Sequence, residues 1–275
     1  MSWFEAVVLG LVQGLTEFLP ISSTAHLRIV ASLAGWDDPG ATFTAVTQIG
    51  TEAAVLIYFR HDIGRILRQW SHSLVRPELR RDPNALIGWY VIVGTLPIGI
   101  LGVALQGYIR DQFRNLTLVA LTLIVFGLIL GVADRLAKQT KTLERLDLSD
   151  ALVYGLAQSL ALIPGVSRSG GTISAGLLLG YTREAAARYA FLLAIPTVLA
   201  SGLFELRRIG DGDAPAWGAT LAATAIAFGV GYAVIAWFLR FIATRSFLPF
   251  VLYRVVLGVA LLGLIAVGVI DPASP

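Results

Sequence analysis

Cysteine is absent, methionine occurs once and histidine three times in 275 residues. Without thiols there is no disulfide framework and no thiolate metal site. Two of the three histidines, His61 and His72, lie in one basic segment, which argues against a His-rich zinc site. Charge is also scarce: 14% of residues are charged and the net charge is only +3. So small an excess calls for no nucleic-acid partner, and the clusters of Arg read as topology signals. The first residues, MSWFEAVVLGLVQG, lack the basic n-region and small-residue cleavage site of a secretory leader and are taken as part of the mature chain.

What the chain has in excess is apolar length. Hydrophobic residues make up 56% of it, mean hydropathy is +0.75, and runs of transmembrane length recur, which predicts an all-α polytopic membrane protein. Full spans are expected near Phe43–Phe59, Ala85–Gln106, Leu116–Ala133, Ala185–Leu206, Trp217–Leu239 and Phe247–Ile270. Two regions break this pattern midway with Pro, Gly, Ser and Thr: Trp3–Gly35 and Ala151–Tyr181. Each is too short for two crossings of roughly 20 residues plus a turn. Each suits a re-entrant helix–loop–helix hairpin. The hairpins resemble each other: GLVQGLTEFLPISS from Gly10 aligns with GLAQSLALIPGVSRS from Gly155. Three full spans follow each copy, so the second copy is inverted relative to the first. The expectation is a single membrane domain over 1–275, with inverted repeats at about 1–137 and 148–272 and the site at discontinuous helices near the midplane. The Arg60–Arg81 loop holds six Arg, and Arg135–Arg145 holds two Arg and two Lys; both are expected to be cytoplasmic. The Arg110–Arg114 turn, the N-terminus, the C-terminus and the mouth of the first hairpin then lie outside.

The polar residues inside the broken regions carry the chemistry. An ionised side chain at a helix centre costs roughly 2.5–3.5 kcal/mol to insert, so Glu17 reads as functional or ion-paired. Gln13, four residues earlier, shares its helix face. Together they offer oxygen ligands to a hard cation, Mg²⁺ or Ca²⁺, that also takes phosphate oxygens and water. In PISSTAH, Pro20 breaks the first half-helix and Ser22, Ser23 and Thr24 stand where the next should begin. Hydroxyls there are good N-caps, but three exceed what a cap needs. His26 lies three residues after Ser23, and a hydroxyl beside an imidazole base is a recurring catalytic pair. In PGVSRSGGT, Pro164 and Gly165 form the break. Ser167, Arg168, Ser169 and Thr172 follow, with Gly170 and Gly171 leaving the backbone open to close approach. A helix start with free N–H groups binds anions, and an Arg there adds bidentate bonds to phosphate. Two half-helices entering from opposite faces would then meet at a hydroxyl-lined, positive pocket suited to a phosphate or diphosphate attached to a lipid.

At these residues the sequence resembles the undecaprenyl-diphosphate phosphatase family, the bacitracin-resistance type of integral membrane protein. The likeness runs along nearly the whole chain. It is strongest in QGLTEFLPISSTAHL, PGVSRSGGTIS, REAAARYAFLLAIP and PFVLYRVVLG. It implies Ser23 as the nucleophilic serine, His26 as the family histidine, Arg168 as the phosphate-binding arginine and Gln13–Glu17 as the acidic motif. In that motif many members have Glu at the first place. Arg254, in LYR, matches a further family position and joins Ser22, Thr24, Ser167, Ser169 and Thr172 as an expected substrate contact. Glu52 is read as a packing or supporting group. Another lipid-phosphatase superfamily is excluded, because Ser167-Arg168 has no His downstream of it. The implied reaction converts undecaprenyl diphosphate to undecaprenyl phosphate and inorganic phosphate in the bacterial cytoplasmic membrane, with an extracytoplasmic site. The partners are the lipid substrate and membrane lipids, and a homo-oligomer is compatible with this reading. Inverted repeats of broken helices also suit a transporter or flippase of undecaprenyl phosphate. The grouping of Glu17, Ser23 and His26 favours chemistry.

Overall fold

Prolines and capping hydroxyls divide the two polar regions into short helices. In the computed structural model, which describes residues 1–105, 115–207 and 216–272, α1 (Trp3–Thr16) starts on a capping box between Ser2 and Glu5. The chain turns through Glu17–Ser22, and α2 (Ser23–Ala34) starts from Ser22, whose hydroxyl accepts from the Ala25 N–H. It stops at Gly35 in the left-handed conformation, the usual role of a glycine after a helix end. The second region repeats this plan. α7 (Leu148–Ser159) is capped by Asp147, and α8 (Arg168–Leu178) by Ser167, whose hydroxyl accepts from the Gly170 N–H. Asp147 is exposed, and the Ser149 hydroxyl and Asp150 N–H hold its carboxyl below the usual range. At about 1.5 Å per residue, none of these four helices alone reaches across a hydrocarbon core of roughly 30 Å.

Five other helices are long and apolar enough to cross a membrane: α5 (Pro83–Ala104), α6 (Leu116–Leu136), α9 (Arg183–Arg207), α10 (Trp217–Thr244) and α11 (Leu248–Ala266). The described residues contain no named strand. The sixth span expected, α3 (Gly40–Tyr58), forms a 19-residue helix but is not among those five. Thr42, Thr44, Thr47, Gln48, Thr51 and Glu52 reduce its apolarity. Thr44, Thr47 and Thr51 turn their hydroxyls back onto carbonyls of their own helix.

The basic segment expected as a loop is largely helical instead. α4 (Arg60–Val75) is amphipathic, packs on α5 and sets Trp70 edge-on against Trp89. Its Asp62 ties it to α9, and two further ion pairs join segments near the same helix ends. Arg188 of α9 bonds Asp62, Arg183 bonds Asp134 at the end of α6, and Lys141 bonds Asp150 at the start of α7. At the other end, the Leu116 N–H donates to the Pro272 carbonyl. Gln106 and the Arg110–Arg114 turn lie outside the described residues.

The short helices are wedged between long ones. α1 packs against α10, and α7 against α5. Both contacts depend on glycine. A Cβ on Gly10 would lie 2.6 Å from the Ala223 carbonyl oxygen, and one on Gly155 would lie 2.4 Å from that of Gly94. Backbones this close leave no room for a side chain. α8 sits against α6, α7 and α9, which brings the start of α8 to the turn after α1.

Candidate active site

Glu17, at the C-terminal end of α1, is the hub. Its Oε2 accepts from Gln13 Nε2 at 2.7 Å and from the Ser23 hydroxyl at 2.6 Å. Its Oε1 accepts from Arg168 Nη2 at 2.5 Å, across 151 residues of sequence. The Glu17 side chain is 5% exposed and that of Arg168 18%. A pair this enclosed interacts far more strongly than a surface ion pair. The local reasons are legible. Gln13 and Glu17 are one helical turn apart, and the break after Thr16 folds Ser23 back beside them. Arg168 is the first residue of α8, directly after its Ser167 cap.

One expected pairing is not formed. Ser23 does not bond His26, because its hydroxyl is committed to Glu17. His26 points elsewhere: Nδ1 lies 2.7 Å from the Ser22 carbonyl oxygen and Nε2 lies 2.7 Å from the Tyr253 hydroxyl. The i, i+3 spacing put Ser23 and His26 on one helix face, but the carboxylate is the stronger acceptor and sits on the other side of the serine. Tyr253 escaped the sequence reading. Its one signal there is its place before Arg254 in LYR.

Two expected substrate contacts are walls instead. Arg254 is fully buried and its guanidinium donates only to backbone. It reaches Pro20 in the first turn, Gly165 and Val166 in the second, and Thr122 and Leu123 of α6. It binds the two helix breaks together, and its N–H groups are used by the protein rather than by substrate. Thr172 is fully buried and its hydroxyl donates back to the Arg168 carbonyl, as helix threonines do. Gly170 and Gly171 are likewise spaces for protein. A Cβ on Gly170 would lie 2.9 Å from Arg254 Nη1, and one on Gly171 would lie 3.1 Å from the Ala157 carbonyl oxygen. Replacing Arg254 with Met should destabilise the protein by about 3–5 kcal/mol, because buried carbonyls lose their donor. An unchanged melting temperature in detergent would contradict this role.

Ser167 and Ser169 bond each other at the start of α8, and Ser22 caps α2. Ser22 and Ser167 both have positive φ, 74° and 72°, a costly conformation for a non-glycine residue that recurs at functional sites. Ser169 donates to the Leu19 carbonyl of the first turn and bonds Ser167. Thr24 is half-buried on the first turn of α2. Glu52, on α3, is 2% exposed and lies within electrostatic reach of Arg168 and Glu17. Its Oε1 and the Oε1 of Gln13 are buried without a hydrogen-bond partner. On the far side of His26 opens a groove of about 690 Å³, lined by Leu15, Leu19, Val30, Val230 and Trp237 with His26 and Tyr253 among them.

Fold and site together define a polytopic helical membrane protein with an enclosed carboxylate–guanidinium–hydroxyl cluster at the meeting of two interrupted helix pairs. The chain belongs to the bacitracin resistance protein BacA family, whose model matches residues 6–260. Among its relatives, undecaprenyl-diphosphatase 2 of Frankia casuarinae is 66% identical over 99% of this chain and 98% of its own length. Undecaprenyl-diphosphatase 3 of Frankia alni is 64% identical over 98% of this chain and 97% of its own. Undecaprenyl-diphosphatase 2 of Streptomyces coelicolor is 60% identical over 99% and 98%.

Proposed function

We propose that the protein hydrolyses undecaprenyl diphosphate to undecaprenyl phosphate and inorganic phosphate, recycling the carrier lipid and conferring bacitracin resistance. The observation that carries this is the Ser23 hydroxyl bonded at 2.6 Å to a carboxylate that Arg168 also holds. Transport of a lipid phosphate needs no such activated hydroxyl. Ser23 Oγ attacks the terminal phosphorus and its proton passes to Glu17. The bond to the bridging oxygen breaks, and its electron pair stays on the departing lipid phosphate. Arg168 steadies the charge on the transferring group. Water then cleaves the Ser23–phosphorus bond, and the serine oxygen regains a proton. The apolar groove beside His26 suits the prenyl chain. Phosphate release by the purified protein in detergent tests the activity, and a trapped phosphoserine at Ser23 tests the covalent step. Catalysis by a serine-free route would leave phosphate release intact in Ser23→Ala.

A divalent cation, Mg²⁺ or Ca²⁺, fits the donor set. Among the described residues no three His, Asp or Glu side chains gather for a metal, so the protein would supply few ligands and phosphate oxygens and water the rest. The unpartnered Gln13 Oε1, with Glu17 adjacent, is the group that would hold it. When bound, the cation would neutralise phosphate charge.

The finer architecture we propose is six spans, α3 included, with two re-entrant hairpins in an inverted repeat. Supporting it are the matched turns at Ser22 and Ser167, and the matched close approaches at Gly10 and Gly155. The ion pairs that gather the basic segments at one end support a cytoplasmic placement of that end, with the catalytic mouth facing outward. In a chain without native Cys, a single Cys at Ser71 should be shielded from an impermeant thiol reagent in intact cells. One at Gln112, outside the described residues, should be labelled. The reverse pattern would overturn the orientation.

A further inference from the structure

Resting on the phosphatase reading, we infer that Tyr253 is a positioning residue of His26: the Ser22 carbonyl sets the imidazole tautomer, and the Tyr253 hydroxyl holds Nε2 as an acceptor at the lipid groove. A carbonyl oxygen only accepts hydrogen bonds. With the Ser22 carbonyl 2.7 Å from Nδ1, the proton of the neutral ring is on Nδ1. Nε2 is then an acceptor, and the Tyr253 hydroxyl at 2.7 Å donates to it. Both ends of the ring are thereby held. The Ser22 carbonyl is fixed because its residue caps α2 at a positive φ. The same oxygen also takes the His26 backbone N–H. Tyr253 is fixed because its neighbour Arg254 is bonded to the turns of both broken helix pairs.

This gives His26 a task other than activating Ser23, whose hydroxyl Glu17 already holds. The two rings lie nearly parallel, 9° apart with centroids 5.5 Å from each other. Both line the groove, whose other lining residues are apolar apart from Thr16. Any proton His26 exchanges without breaking its bond to Ser22 passes at Nε2, at the groove side, where Tyr253 stands. The Tyr253 side of the groove is therefore where the imidazole meets the substrate or its water.

Tyr253→Phe keeps the ring and removes only the donor. Nitrogen-15 NMR of labelled histidine, with His61 and His72 changed to Gln, reads the tautomer of His26 without substrate. The native protein should show the Nδ1–H form, and Tyr253→Phe should shift the Nε2 signal. In steady-state assays Tyr253→Phe should lower kcat about tenfold, the scale of one lost hydrogen bond, with KM changed less than about threefold. In a His26→Ala background the same change should cost nothing further, since residues acting through one another are not additive. An Nε2–H tautomer in the native protein, a kcat within twofold of native, or additive losses in the double variant would each overturn the inference. Absence of phosphate release from the native protein would strike the activity reading alone, because the tautomer is read independently of turnover.

Discussion

Glu17→Gln is expected to lower kcat by about 10²-fold or more, the scale of a lost general base. The carboxylate accepts three donors, from Gln13, Ser23 and Arg168. An amide in its place has one oxygen for them and turns an N–H₂ group toward the rest. Ser23 then loses its proton acceptor, and Arg168 loses its paired charge. Breaking such a pair commonly costs stability, but Arg168 keeps Glu52 within electrostatic reach, so the variant should still insert and elute as native in detergent. Ser23→Ala removes the hydroxyl without touching the charge and should fall to a similar level. Combining the two should cost little more than either, because they act as one unit. Were the proposed cation held by Gln13 and Glu17, the variant would also respond less to added Mg²⁺ or Ca²⁺. Near-native turnover of a properly folded Glu17→Gln protein would remove Glu17 from the mechanism.

Arg168→Lys should reduce kcat/KM by about 10²-fold or more, comparable to losing a transition-state donor. The guanidinium is a planar fork that can serve Glu17 and a phosphate oxygen together, whereas an ammonium is a point charge on a flexible stem. Arg168 begins α8, where the helix N-terminus adds its own preference for an anion. Lysine keeps the sign of the charge and loses the geometry, so the loss should exceed what electrostatics alone predicts. Activity within a few-fold of native would make Arg168 a purely structural partner of Glu17. The same variant assayed for lipid binding separates the cases, since a merely structural change would weaken binding and turnover alike.

The residues of the candidate site were visible in the chain because a membrane penalises polarity. Glu17, Ser23, His26 and Arg168 are conspicuous in segments otherwise apolar, and Pro20 and Pro164 mark where the helices must break. Those breaks, the five long apolar spans and the helical class follow from local composition and period, which act over a few residues. Partnership does not. Arg168 meets Glu17 across 151 positions and Tyr253 meets His26 across 227, and no periodicity connects such pairs. Spacing joined Ser23 to His26, whereas folding joined Ser23 to Glu17, because the turn at Ser22 brings the hydroxyl to the stronger acceptor. Arg254, through its match to a family position, was expected to contact substrate. Only the packing of both turns around it showed a cation held entirely by carbonyls, since buried backbone at two helix breaks must find donors from somewhere. Polar residues in segments otherwise apolar announce a polar cluster, because most buried polar groups must find partners. Which group meets which depends on long-range packing, because no local spacing connects residues so far apart in the chain.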